Sequence, residues 1–265
     1  FQISLIFTGL NIANLRMDTL VTYIVHTFSG HRYFVIVGFI GIVTLVSLKF
    51  WLPNIERKGE THFLEELKFL KHRQSWLVLL ITAIGFGGLF TWFSYITPLM
   101  TEVSKIDSAY MAYVMVLAGA GMVVGNLAGG FLSDRLGPEK TCSLLLFLMM
   151  ISLVGVFFLS ENQTVSLILT FICGGLSMAV AAPINIMMMK AAPNSEMMAA
   201  AFMQAGFNGA NALGAFLGGI PLENGYSFNY PALVGVGMTF IGLLFSLRYW
   251  YLHEKGRFNT DTLAL

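Results

Sequence analysis

Charge is what this sequence has least of. Among 265 residues there are 15 Lys or Arg and 14 Asp or Glu, a charged fraction of 11%, against about 25% in soluble domains. The net charge of +1 implies neither nucleic acid nor an acidic partner. Cysteine is nearly absent too. Cys142 and Cys173 both lie in apolar segments and read as small buried side chains, not as a disulfide or a metal site. The histidines, His26, His31, His62, His72 and His253, fall at the ends of apolar stretches or between them. No His-Glu-x-x-His and no carboxylate pair occurs inside one, so a membrane-embedded enzyme has no visible machinery, and no cofactor is expected. No basic segment precedes the first apolar block, so that block is not expected to be a signal peptide. With Phe1 in place of an initiator Met, the chain is expected to be a fragment starting inside a larger protein.

What is present is apolar, in long runs. The hydrophobic fraction is 56% and the mean hydropathy +0.74. Tyr33–Leu52, Thr141–Ser160 and Tyr230–Leu252 each approach the ~20 residues that cross a hydrocarbon core. Gly, Pro and charge punctuate eight such spans: Ile3–His26, Tyr33–Leu52, Trp76–Met100, Ser108–Ser133, Thr141–Ser160, Val165–Lys190, Met197–Ile220 and Tyr230–Leu252. The fold class is all-α, a polytopic membrane bundle. Between the second and third spans, Phe63, Leu64, Leu67 and Leu70 recur at helical spacing against Glu65, Glu66, Lys68 and Lys71. This predicts an amphipathic helix within 53–75.

Basic residues assign the sides. Lys49, Arg57, Lys58, Lys68, Lys71, Arg73, Arg135, Lys140, Lys190, Arg248, Lys255 and Arg257 fall on one side of the eight-span arrangement, and only Arg32 and Lys105 on the other. The first side is therefore cytoplasmic and holds the central loop and the C-terminus. Every third span (33–52, 141–160, 230–252) has almost no polar side chain near its middle and is expected to face lipid. That period suggests three-helix units, a common transporter repeat.

Between the fourth and fifth spans runs Gly130-Phe-Leu-Ser-Asp134-Arg135-Leu-Gly137, with Lys140 as a trailing base. It resembles the inter-helix signature of the major facilitator superfamily, with Pro138 and Glu139 where that family often has basic residues. Together with the long central loop, the resemblance covers the whole chain and makes its spans numbers five to twelve of twelve, the N-terminal four being absent. Residues 1–52 would then end the first six-helix half, 53–75 form the central loop, 76–252 the second half and 253–265 the tail. The stretches "ISLIFTGLNIANL", "TWFSYITPLM" and "LAGAGMVVGNLAGG" are similar to the drug/proton antiporter group, especially arabinose-efflux permeases of the AraJ type. The Gly-x-Pro-x-Gly element of that group is replaced at Met17, Thr19 and Val21. The resemblance implies export of a small organic solute by alternating access, coupled to protons, in a bacterial inner membrane, by a protein that is monomeric when complete. It also implies a gating role for Gly130, Asp134, Arg135, Gly137 and Lys140.

Candidate pathway residues come from polar stripes. Asn11, Asn14, Asp18 and Thr22 share one face of the first span, with Arg16 beside them. Asp18 reads as a proton or substrate carboxylate, or else the stripe is a structural seam. Trp92 and Tyr95 suit stacking against a sugar or flat amphiphile, or an interfacial belt. Asn185 follows Pro183, and Met187, Met188 and Met189 could form an adaptable wall or a packing kink. Gln204, Asn208 and Asn211 put three amides on one face, lining a cavity or bonding across helices. Gly121, Gly125, Gly129, Gly214 and Gly218 allow close helix contacts, by resemblance with the opposite half. Taken as a fragment alone, the chain is expected to insert in the bilayer without transporting.

Overall fold

The computed structural model describes residues 67–193, 195–256 and 258, with isolated helical residues at 38, 39, 42, 43, 46 and 47. The chain divides into two units, Phe1–His62 and Phe63–Leu265, and the long helices among the described residues all belong to the second. Asn11, Asn14, Arg16, Asp18 and Thr22 lie outside the described residues, as does most of the expected amphipathic segment. Of its described part, residues 67–75, Leu67–Lys71 is a 3-10 turn and a long helix starts at Arg73. In that turn the buried anchor is Phe69, edge-on to Phe202 at 5.5 Å. The expected apolar face missed Phe69 because three residues per turn place side chains differently from 3.6.

Among the described residues of this unit there are six long helices: α1 Arg73–Phe93, α2 Met111–Leu136, α3 Pro138–Leu159, α4 Gln163–Ala191, α5 Glu196–Glu223 and α6 Tyr230–Glu254. Most ends fall within a few residues of those read from the sequence, since the same punctuation sets them. Gly137 ends α2 at φ 85°, a conformation that favours glycine, and Pro138 opens α3, where its missing N–H costs nothing. Asn162 caps α4 by accepting from the Thr164 and Val165 amides. The exception is α1. It contains a π-helical turn, Ile81–Phe86, and continues past Ser94 through Ile96–Pro98 and a second π turn, Leu99–Val103. Five of the six, α5 being the other, are long and apolar enough to cross a membrane by length and composition.

The helices form two triplets that exchange their first members: α1 packs on α5 and α6, and α4 on α2 and α3, with α3 against α6 joining the groups. Close approach is built from glycine. Gly121, Gly125 and Gly129 of α2 lie against the carbonyls of Phe171, Gly175 and Ala179 on α4, and a Cβ at any of the three would overlap them. Ala179 is also the residue whose carbonyl Pro183 leaves without its helical partner. On the other side, Gly214 and Gly218 of α5 abut Gly87 and Thr91 of α1, while Gly85 of α1 meets Gly242 of α6. These glycines therefore seal helices within Phe63–Leu265, while the contacts with the opposite half that the resemblance implies lie outside the described residues. Periodicity shows that a face is small but not which helix it meets.

The core between them is apolar, with Leu89, Met149, Leu153, Ile184, Met187 and Met188 fully buried. Polar groups tie the two ends. Near the α3–α4 turn, Ser104 Oγ donates to the Ser160 carbonyl (2.6 Å) and meets Ser166 Oγ at 2.8 Å. Between α3 and α6, Asn229 donates to the Phe157 carbonyl (3.0 Å) at one end and Ser143 meets Ser246 (2.8 Å) towards the other.

Candidate functional site

One face of α5 is unlike the rest of the bundle. Ala199, Met203, Ala210 and Gly214 bury the adjoining face, roughly a third of a turn round the helix from the amides. Gln204, Asn208 and Asn211 are exposed, and none of the three side chains has a hydrogen-bond partner among the described residues. An amide moved into hydrocarbon without a partner costs roughly 2 kcal/mol or more, so three on one helix call for a polar partner there, be it water, a ligand or protein groups outside the described residues. One turn beyond Asn211, Tyr95 reaches α5 from α1: its phenol donates to the Ala215 carbonyl at 2.8 Å, with the ring against Gly218 and Gly219.

The other mid-span candidates are not gathered with this face. Trp92 is only 2% exposed, inside the core, and its Nε1 has no partner among the described residues. Asn185 turns back on its own helix, donating to the Ala181 carbonyl at 2.9 Å. Met187 and Met188 are core residues, whereas Met189 is exposed.

The motif residues lie at the end of the bundle where α2 turns into α3. Asp134 is exposed without a partner among the described residues; the Arg135 guanidinium covers the Phe131 ring at 4.3 Å. A side chain at Gly130 would meet nothing within 4 Å. Lys140 lies 3.9 Å from Glu254 and over the Trp250 ring. The ionic centre of this end is a residue that motif matching passed over as a departure. Glu139 is 6% exposed, and its Oε1 lies 3.3 Å from Lys190 Nζ and 3.5 Å from His253 Nε2. Its place in the first turn of α3 favours a carboxylate. Beside it Gln74 donates to Tyr249 Oη at 2.7 Å, and Phe258 packs on the Tyr249 ring. Helices α1, α3, α4 and α6 thus meet at one polar cluster. The available signal was a carboxylate just after a helix-opening Pro, level with basic residues at two other helix ends.

A family model described as Major Facilitator Superfamily matches residues 1–201. Among curated proteins, the chain is 33% identical over 257 residues to the "Putative transporter AraJ" of Escherichia coli (strain K12), covering 97% of this chain and 65% of that protein. It is 28% identical to the "Inner membrane transport protein YdhP" of the same organism, over 91% of this chain and 62% of that one. It is 27% identical to a "Probable sugar efflux transporter" of Haemophilus influenzae (strain PittGG), over 81% and 57%. The chain therefore spans less than two thirds of the length of these relatives.

Proposed function

The chain belongs to the major facilitator superfamily, and from that premise we propose that the whole protein exports a small organic solute, a sugar or drug-like molecule, by proton-coupled alternating access. Its relatives are named as transporters, not enzymes, and the sequence is that of a multi-pass membrane protein. The observation that carries the reading is the row of unpartnered amides on the exposed face of α5, Gln204, Asn208 and Asn211. Tyr95 is held at the same helix. Such a face suits a solute rich in hydroxyl or amide groups, since each amide offers two donors and an acceptor. A relative named for sugar efflux supports that class and the outward direction.

In this proposal Asn14, Arg16 and Asp18 supply the first half's part of the pathway, with Asp18 carrying the proton. Trp92, in the core, and Asn185, turned onto its own helix, serve the pathway only indirectly in this proposal. Gly130, Asp134, Arg135, Gly137 and Lys140 gate the basic end, which is cytoplasmic, in a bacterial inner membrane. The two halves rock about a midplane site. The partners are the bilayer, the solute and protons, and the complete protein works as a monomer.

The test is solute export by the full-length gene product in proteoliposomes under an imposed proton gradient, screened over sugars and drug-like compounds. Gln204→Leu, Asn208→Leu and Asn211→Leu should insert normally and each lower flux at least about tenfold, the equivalent of one lost polar contact to solute. Asp18→Asn should abolish gradient-driven flux while leaving solute exchange. Full flux in all three α5 variants would remove the amide face from the pathway.

A further inference from the structure

The helix α6 changes character along one face. Leu233, Phe240, Ile241, Leu244 and Leu247 stand exposed on it, and at its C-terminal end the same side carries Arg248, Tyr251 and Lys255. Seven residues bring Lys255 back to within about 20° of the direction of Arg248, roughly 10 Å further along the axis. Side chains on a helix lean towards its N-terminus, so Lys255 reaches back naturally, and its Nζ lies 4.5 Å from the centre of the Tyr251 ring. The Arg248 guanidinium lies over the same ring at 6.0 Å. To do so it must extend the other way, out of the apolar stretch and towards the helix end. That is the direction a cation takes when its helix faces lipid.

The two cations converge on one aromatic ring, and neither has a carboxylate within 4.0 Å among the described residues. Lys140, Lys190 and His253 at the same end are paired instead, with Glu254 and Glu139. A cationic notch thus sits directly below an apolar ridge, matching the two chemistries of a phospholipid in their order along the membrane normal.

We propose that Arg248 and Lys255, converging on the Tyr251 ring, bind the phosphate of an anionic phospholipid headgroup, with an acyl chain of that lipid lying along Phe240, Leu244 and Leu247. The site is separate from the solute pathway: the amides that define that pathway are on α5.

The test is native mass spectrometry of the full-length protein, purified in detergent, stripped of lipid and titrated with dioleoyl phosphatidylglycerol or dioleoyl phosphatidylcholine. A cation near an anionic headgroup is worth roughly fivefold in binding, so two predict a preference of about 20-fold or more for the glycerol lipid. Arg248→Gln/Lys255→Gln should bring the two lipids level, and Lys255→Gln alone should fall midway. Lys71→Gln/Arg73→Gln, an equal loss of charge at another exposed place, should keep the preference. The proposal is overturned if Arg248→Gln/Lys255→Gln keeps it, or if both double variants lose it equally, which would mean diffuse surface charge. Displacement of the lipid by millimolar inorganic phosphate would likewise overturn it, by showing a free-anion site.

Discussion

Substituting Gly125 by Ala tests the packing of α2 on α4, and Gly130 is its control. The Gly125 Cβ would lie 2.7 Å from the Gly175 Cα and closer still to that residue's carbonyl. Ordinary contact needs about 3.4–4.0 Å, so the helices must part by more than ~0.7 Å, along a seam in which Gly121 and Gly129 make the same approach. Overpacking of this kind costs about 1–3 kcal/mol, while Ala restores up to ~1 kcal/mol of helix propensity over Gly. With the full propensity gain, the net is a loss of up to roughly 2 kcal/mol at Gly125. At Gly130, five residues on, an added Cβ meets nothing within 4 Å, so only the propensity gain remains, up to ~1 kcal/mol. The propensity gain is common to both, so the two variants should differ by the overpacking term, ~1–3 kcal/mol, or roughly 2–12 °C in Tm at 2–4 °C per kcal/mol. The assay is thermal unfolding in detergent, followed by far-UV circular dichroism. Gly125→Ala melting at or above the wild type, or Gly130→Ala falling as far as Gly125→Ala, would refute the seam.

The same structure sets three further outcomes. Tyr95→Phe removes the hydrogen bond to the Ala215 carbonyl and should cost about 0.6 kcal/mol, the average for such bonds between membrane helices, seen as a Tm fall of one or two degrees. Glu139→Gln and Lys190→Gln should each destabilise the basic end, and a double-mutant cycle should return a coupling of ~1 kcal/mol, modest because Lys190 is half exposed; additivity would show that Lys190 does not hold Glu139. Gly137→Ala imposes a left-handed backbone on a residue with a Cβ and should cost about 1–2 kcal/mol, measured by the same melting.

The spans were legible because long apolar runs and Gly–Pro punctuation act locally: Gly137-Pro138 and Asn162 set helix ends wherever they occur. Partner choice was not. The stripe at Gly121, Gly125 and Gly129 announced a close contact, and only the fold shows that α4 supplies it. The irregular course of α1 was also hidden, since a π turn at Ile81–Phe86 leaves composition unchanged. Within the candidate site, the amide row could be read from spacing alone, and the fold adds that its face is exposed and unpartnered. Trp92 shows the limit of composition: aromatic and polar at once, it fits a solute surface on paper, yet it sits in the core. Glu139 was passed over for a related reason. Motif comparison judges one position at a time, whereas Lys190 and His253, which give that carboxylate its place, come from two other helices.

The central claim is that the amide face of α5 meets water while the apolar ridge of α6 meets lipid. The two native cysteines are fully buried, so single cysteines can be introduced without interference from them. In native membranes, Asn208→Cys and Asn211→Cys should react rapidly with a charged maleimide, and Leu244→Cys should not. Labelling of Leu244→Cys alone, with both α5 positions silent, would contradict the account.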